Sequence, residues 1–184
     1  MQKLINTLVL GVAGIFVVSA AFAIVQQMVK TMTLQSLSAN DISVDQALLV
    51  AQGAINECKK DSPALTVAVV DHEGGVRFLI RGDGASPEAV ENARKKAYTA
   101  RTFRASTSSW MERTAMDALD DKGKRIDLYG QRMLENIIAQ KGGLPIIWHG
   151  DAIGGVGVSG SKGGEETDEG CAKAGVEAIA DQLF

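Results

Sequence analysis

The chain of 184 residues has only two cysteines, two histidines and three prolines, and aromatics make up 5% of it. Two histidines cannot supply a three-histidine zinc site. Neither cysteine lies in a Cys-x-x-Cys or Cys-x-x-Cys-His pattern, so a zinc knuckle and covalently attached haem have no support. There is no excess of basic residues: 19 Lys and Arg stand against 22 Asp and Glu, for a net charge of −3, which argues against a nucleic-acid partner. Internal repeats and low-complexity stretches are absent. So are a Gly-x-Ser-x-Gly motif and a Ser/His/Asp or Cys/His nucleophile pattern, and hydrolase chemistry therefore has no positive evidence. What is present is a hydrophobic content of 46%, enough for one globular domain with its own core.

Residues 1–23 read as a signal peptide. Lys3 is the positive start, Leu8–Val18 is almost unbroken apolar sequence, and Ala21-Phe22-Ala23 is a small-x-small cleavage site. The apolar run continues into Ile24 and Val25, and retention as a membrane anchor is the alternative. The expected location is thus periplasmic or secreted, with a membrane-anchored form second. A linker follows at 24–41, and 42–184 is one domain. In an oxidising compartment Cys58 and Cys171 are free to form a disulfide, but the apolar helical setting of Cys171 favours a buried small hydrophobe.

Ser43 and Gln46 form a capping box, with Val44, Ala47, Leu48, Ala51, Ile55 and Cys58 at helical spacing, which predicts a helix over 44–60 ended by Pro63. Leu65–Val70 reads as a strand buried on both faces. The turn Asp71–Gly75 leads to a return strand, Val76–Arg81. Ser86 and Pro87 open a second helix, to about Phe103. A third helix spans 109–119. Short strands are expected at 136–140, 144–148 and 152–159, the last two joined around His149, and a helix from near Gly164 closes the chain. Short connections imply antiparallel pairing. The expected fold is α+β: a profilin-like layer fold with a five-stranded antiparallel sheet flanked by helices.

Gly155, Gly157 and Gly160 match Gly-x-Gly-x-x-Gly, but no βαβ unit with a distal acid follows, so the glycines read as sites of close backbone approach rather than a dinucleotide fingerprint. The loop 160–164 lacks the phosphate-loop order of Gly, Lys and Ser/Thr, and Glu165, Glu166, Asp168 and Glu169 already satisfy the helix start. On the second helix Ala89, Ala93, Ala97 and Ala100 share a face, and Lys96, Thr99 and Phe103 line its flank. Lys96 either holds a ligand carboxylate or snorkels along the core edge. Arg94, Arg101 and Arg104 lie outside, on a solvated or subunit-contacting face that could also meet an anionic ligand.

The segments VAVVDHEGG at 67–75, RGDGAS at 81–86, KAYTART at 96–102, GGLP at 142–145, GGVGVSG at 154–160 and DEGCAKAG at 168–175, in this order, resemble the GlcG/HbpS family. The resemblance covers about 42–184. It implies an antiparallel α+β domain that forms homo-oligomers, octamers among them, and binds haem or haem-derived iron non-covalently. It also implies a haem pocket lined by Lys96, Thr99, Phe103, Arg81, Gly142, Gly143 and Pro145. Haem iron needs an axial donor, and His72 and His149 are the metal-ligand candidates ahead of Tyr98, Met111, Met116 and Cys58. His72 and Trp148-His149 depart from the family's usual residues at those turns. The function expected is an exported haem-binding protein for storage, transport or sensing. The alternatives are an enzyme acting on haem or another small aromatic molecule, and a structural subunit with a membrane or sensor partner.

Overall fold

The computed structural model describes residues 41–59 and 61–183; the expected signal peptide and all but the last residue of the expected linker lie outside them. Helix α1, Val44–Cys58, starts at the predicted capping box: Ser43 Oγ accepts from the Gln46 N–H at 3.1 Å, and Gln46 Oε1 accepts from the Ser43 N–H at 3.0 Å. Strands β1, Thr66–Asp71, and β2, Val76–Arg81, follow. Their turn closes on Asp71, whose Oδ1 accepts from the N–H groups of Glu73 at 3.0 Å and Gly75 at 2.8 Å. Helix α2, Pro87–Phe103, begins at Ser86, which accepts from the Ala89 N–H. A short helix α3, Thr107–Arg113, ends at Thr114, whose hydroxyl donates to the Trp110 carbonyl at 2.9 Å. Strands β3, Gly143–Trp148, and β4, Asp151–Ser159, form a hairpin, and helix α4, Glu165–Glu177, follows.

The sheet has four strands in the order β2-β1-β4-β3, all antiparallel, rather than five. The expected strand at 136–140 is irregular. Residues of α2 hold it at both backbone and side chain: the Ile138 N–H donates to Thr99 Oγ1 at 3.0 Å, and Arg94 donates to the Asn136 side-chain Oδ1 at 2.7 Å. Asn136 itself has a φ of 64°, which breaks an extended run. The fold is α+β, as expected.

Helices α1 and α4 pack on one face of the sheet and α2 on the other. Val67, Val69, Val156 and Val158 point toward α1 and α4, into a core with Val50, Ala54, Ile146 and Ile179. The opposite face presents Ala68, Gly155 and Gly157 to α2. This is the close approach that the glycines signalled. A Cβ on Gly157 would stand 2.1 Å from the Ala93 carbonyl oxygen, and one on Gly155 2.5 Å from that of Ala97. Gly175 does the same between α4 and α1, 2.7 Å from the Val50 carbonyl.

Cys58 and Cys171 are joined by a disulfide that ties the end of α1 to the middle of α4 across 113 positions, so the small-hydrophobe reading gives way to a cross-link. Spacing gave no hint of it, because only the packing of α1 against α4 brings the two Cα atoms to 5.9 Å. Reduction should lower the stability of the chain by about 4–5 kcal/mol on the loop-entropy scale, read from urea unfolding with and without dithiothreitol. Gly157→Ala should cost about 3 kcal/mol or more by driving α2 off the sheet, measured in the same way.

Candidate functional site

Two groups of candidate residues emerge on opposite flanks of α2. The first lies where α2, β4 and α4 meet. Lys96 is 1% exposed, and its ammonium donates to Asp168 Oδ2 at 2.8 Å and to the Val158 carbonyl at 3.0 Å. The other Asp168 oxygen accepts from the Ser161 N–H at 3.0 Å. Thr99 is fully buried, and Gly143 donates its N–H to Thr107 Oγ1 at 3.0 Å. A Cβ on Gly142 would stand 2.7 Å from the Asp168 Cβ and 3.1 Å from Lys96 Nζ.

The structure therefore brings Lys96, Gly142 and Gly143 together and packs the chain's own atoms between them, while Thr99, one turn further along α2, accepts from the Ile138 N–H. The Lys96 ammonium is spent on Asp168 and the Val158 carbonyl rather than standing free for a ligand carboxylate. Asp168 carried no sequence signal of this role, since its partner lies 72 positions away and the acidic run around it reads as helix capping. Phe103 stacks on Trp110 with ring centroids 4.9 Å apart. Pro145 is half-buried on β3, opposite Gly155. Arg81 stands apart on the edge strand, its Nε donating to the Ala85 carbonyl at 2.8 Å.

The second group lies at the end of the sheet where both hairpins turn. Because β1 and β4 are antiparallel neighbours, the turn after β1 and the turn before β4 fall side by side. His72 occupies the first, with Nδ1 3.1 Å from the Ala152 carbonyl of β4. Its backbone N–H donates to Asp41, whose other oxygen pairs with Arg77. His149 occupies the second turn with a φ of 47°, followed by Gly150 at 84°, the pair of positive values that a two-residue hairpin loop requires. Its exposed ring meets Trp148 edge-on at 4.2 Å.

The C-terminal half of α2 reaches the same end. The Tyr98 ring packs against Gly74, Arg101 lies over Gly155, and Arg104 pairs with Asp151 at 3.2 Å. Arg101 Nε is buried without an acceptor. Tyr98 and Arg101 thus join His72 at one edge, whereas Phe103 faces the other flank with Trp110. Among the described residues no three His, Cys, Asp or Glu side chains are grouped to hold a metal ion.

Comparison with known proteins agrees with this architecture. Residues 42–177 match the family model described as haem degrading protein HbpS-like, and the chain belongs to that family. An uncharacterised 15.0 kDa protein of Citrobacter freundii, from the dhaT-dhaS intergenic region, is 31% identical over 121 residues, 65% of this chain and 80% of that protein. The crystal structure of a double mutant of Streptomyces reticuli HbpS superimposes with a TM-score of 0.67 at 27% identity, covering 79% of this chain and 92% of that one. PduOC, solved in complex with haem, shares the fold at a TM-score of 0.62 and 24% identity, over 76% of this chain and 96% of its own.

The buried ion pair makes an energetic prediction. Lys96→Met should destabilise the chain by about 3–5 kcal/mol, because it strands a buried carboxylate. The double variant Lys96→Met/Asp168→Leu should recover most of that loss, as read by chemical denaturation. A double variant no more stable than the single one would show that the pair does not act as a unit.

Proposed function

We propose that this member of the HbpS-like family is an exported, oligomeric haem-binding protein that stores, carries or senses haem. We place the haem seat at the turn end of the sheet. The observation that carries this reading is the tether on His72. A backbone carbonyl can only accept, so Nδ1 bears the proton and Nε2 is left with its lone pair in the neutral ring. That is the form and the orientation in which histidine binds iron, with the second nitrogen fixed by a carbonyl.

The surroundings fit such a guest. Tyr98 and Trp148 offer aromatic surface beside the two turns. Arg101, with an unmet donor, suits one propionate, and Arg104, whose pair with Asp151 is exposed and weak, can exchange that partner for the other. When bound, haem would supply an iron centre for electron exchange or oxygen binding; the chain's own part is to hold and orient it. Lys96 and Thr99 act in this reading from behind, by fixing α2 against β4 and against the 136–138 segment.

The Cys58–Cys171 disulfide supports an oxidising, exported setting together with Lys3, the apolar run and Ala21-Phe22-Ala23. Exposed Val76, Leu79 and Ile80 on edge strand β2, with Val44 and Leu48 on α1, support contact between copies. A second reading, breakdown of haem by the chain itself, is favoured by the description of its family.

Titrating haem into the purified chain should give a saturable, red-shifted Soret band. His72→Ala should weaken binding by about tenfold or more, and Arg101→Ala should weaken it less. Unchanged affinity in His72→Ala would remove the proposed seat, and no saturable band would remove the function. Conversion of bound haem to biliverdin-like products under reductant and oxygen would select the enzyme reading.

A further inference from the structure

A separate cleft of about 260 Å3 opens between α4 and the start of β3, beside α3. It shares no residue with the turn end or with the buried Lys96 cluster. From α4 it is lined by Glu166, Glu169, Gly170 and Lys173, and from the other side by Ser108, Lys141 and Leu144. Glu166, Glu169 and Lys173 recur at helical spacing and so share one face of α4.

The charges of this cleft are arranged unusually. Glu169 and Lys173 stand four positions apart, the spacing at which opposite charges on a helix normally pair. They do not pair. Glu169 Oε1 accepts instead from the Ser108 hydroxyl at 2.6 Å, and Lys173 reaches toward Glu177 at 3.8 Å. Glu169 Oε2 is left buried with no donor at all, a costly state for a carboxylate oxygen. On the opposite wall Lys141 is committed: its ammonium donates to Glu166 Oε1 at 2.8 Å, which holds the Lys141 pKa above and the Glu166 pKa below their ordinary values. Its N–H donates to Glu165. Leu144 and the side-chain-free Gly170 give the cleft apolar surface.

We propose that this cleft binds a small zwitterion, an α-amino acid with a short aliphatic side chain. Its ammonium supplies the donor that Glu169 lacks, its carboxylate meets Lys173, and its side chain lies over Leu144 and Gly170. Adjacent charges on one ligand carbon match two opposite charges one helical turn apart. The lining, two lysines and two glutamates, favours a guest with no net charge. A bare metal ion fits less well, since among the described residues no three metal-ligating side chains converge.

The test uses L-leucine as the probe, titrated into the full chain by isothermal calorimetry, with isopentylamine and isocaproate as single-charge controls. Gly170→Leu is the filling variant: a Cβ there meets nothing within 4 Å, so the new side chain enters the cleft and not the fold. Leucine should bind saturably, and Gly170→Leu and Glu169→Gln should each weaken it by about tenfold or more. Both controls should bind about tenfold more weakly than leucine. Absent saturable binding, equal affinity in Gly170→Leu, or isopentylamine binding as well as leucine would each overturn the proposal. Thermal unfolding checks that the variants fold, and Gly170→Leu decides alone should Glu169→Gln not fold. Haem titration of Gly170→Leu should match the parent chain, which keeps this cleft separate from the haem reading.

Discussion

The close approach of α2 to β4 governs the rest of the molecule. Side chains normally hold a helix well clear of a sheet, but here Gly155 and Gly157 present bare backbone and α2 answers with alanines. The contact is backbone against backbone, so it leaves no layer of side chains between helix and strand that could open for a ligand. Anything α2 offers to a guest must come from its flanks or its end.

On one flank the chain closes the space itself. A lysine buried to 1% exposure requires an acceptor, because an unpaired ammonium away from water costs on the order of several kcal/mol. Asp168 meets that need from α4 while also capping the loop at Ser161. One carboxylate therefore fastens three elements, and Gly142 is the residue small enough to pass between them. The arrangement explains why a sequence pattern that resembles a ligand pocket is occupied by protein atoms in the single chain. The lysine and the glycines do converge, but they converge on each other.

Local chemistry was legible wherever one short segment determines its own conformation. The capping box at Ser43, the Ser86-Pro87 start, the Asp71–Gly75 turn and the doubly buried β1 were all readable, because each depends on neighbours within a few positions. Glycine in β4 announced close packing because a residue without a side chain lets another backbone come up against the strand. The misjudged elements share the opposite property. The segment 136–140 has strand composition, yet Thr99 and Arg94, about forty positions upstream, take its hydrogen bonds. The disulfide and the Lys96–Asp168 pair join residues 113 and 72 positions apart, distances at which spacing carries no information. Of the candidate site, the histidines were visible as residues, but their placement at one end of the sheet follows only from the order β2-β1-β4-β3.

That order also bears on the haem seat proposed at the turn end. The two central strands are buried along most of their length, and the disulfide ties together the helices α1 and α4, so the turns that cap these strands are mounted on a closely packed scaffold. His72 is held at its backbone by Asp41 and at its ring by the Ala152 carbonyl, two contacts that fix its position and leave Nε2 unspent. Among the described residues His149 has neither restraint, and its ring meets Trp148 edge-on. A ligand that needs one well-aimed nitrogen would choose His72, since the cost of ordering the donor has been met by the fold before binding. His149 is then better placed to swing toward a guest than to anchor it. The asymmetry between the two histidines comes from backbone register, not from their chemistry, and it sets the order in which they should be removed.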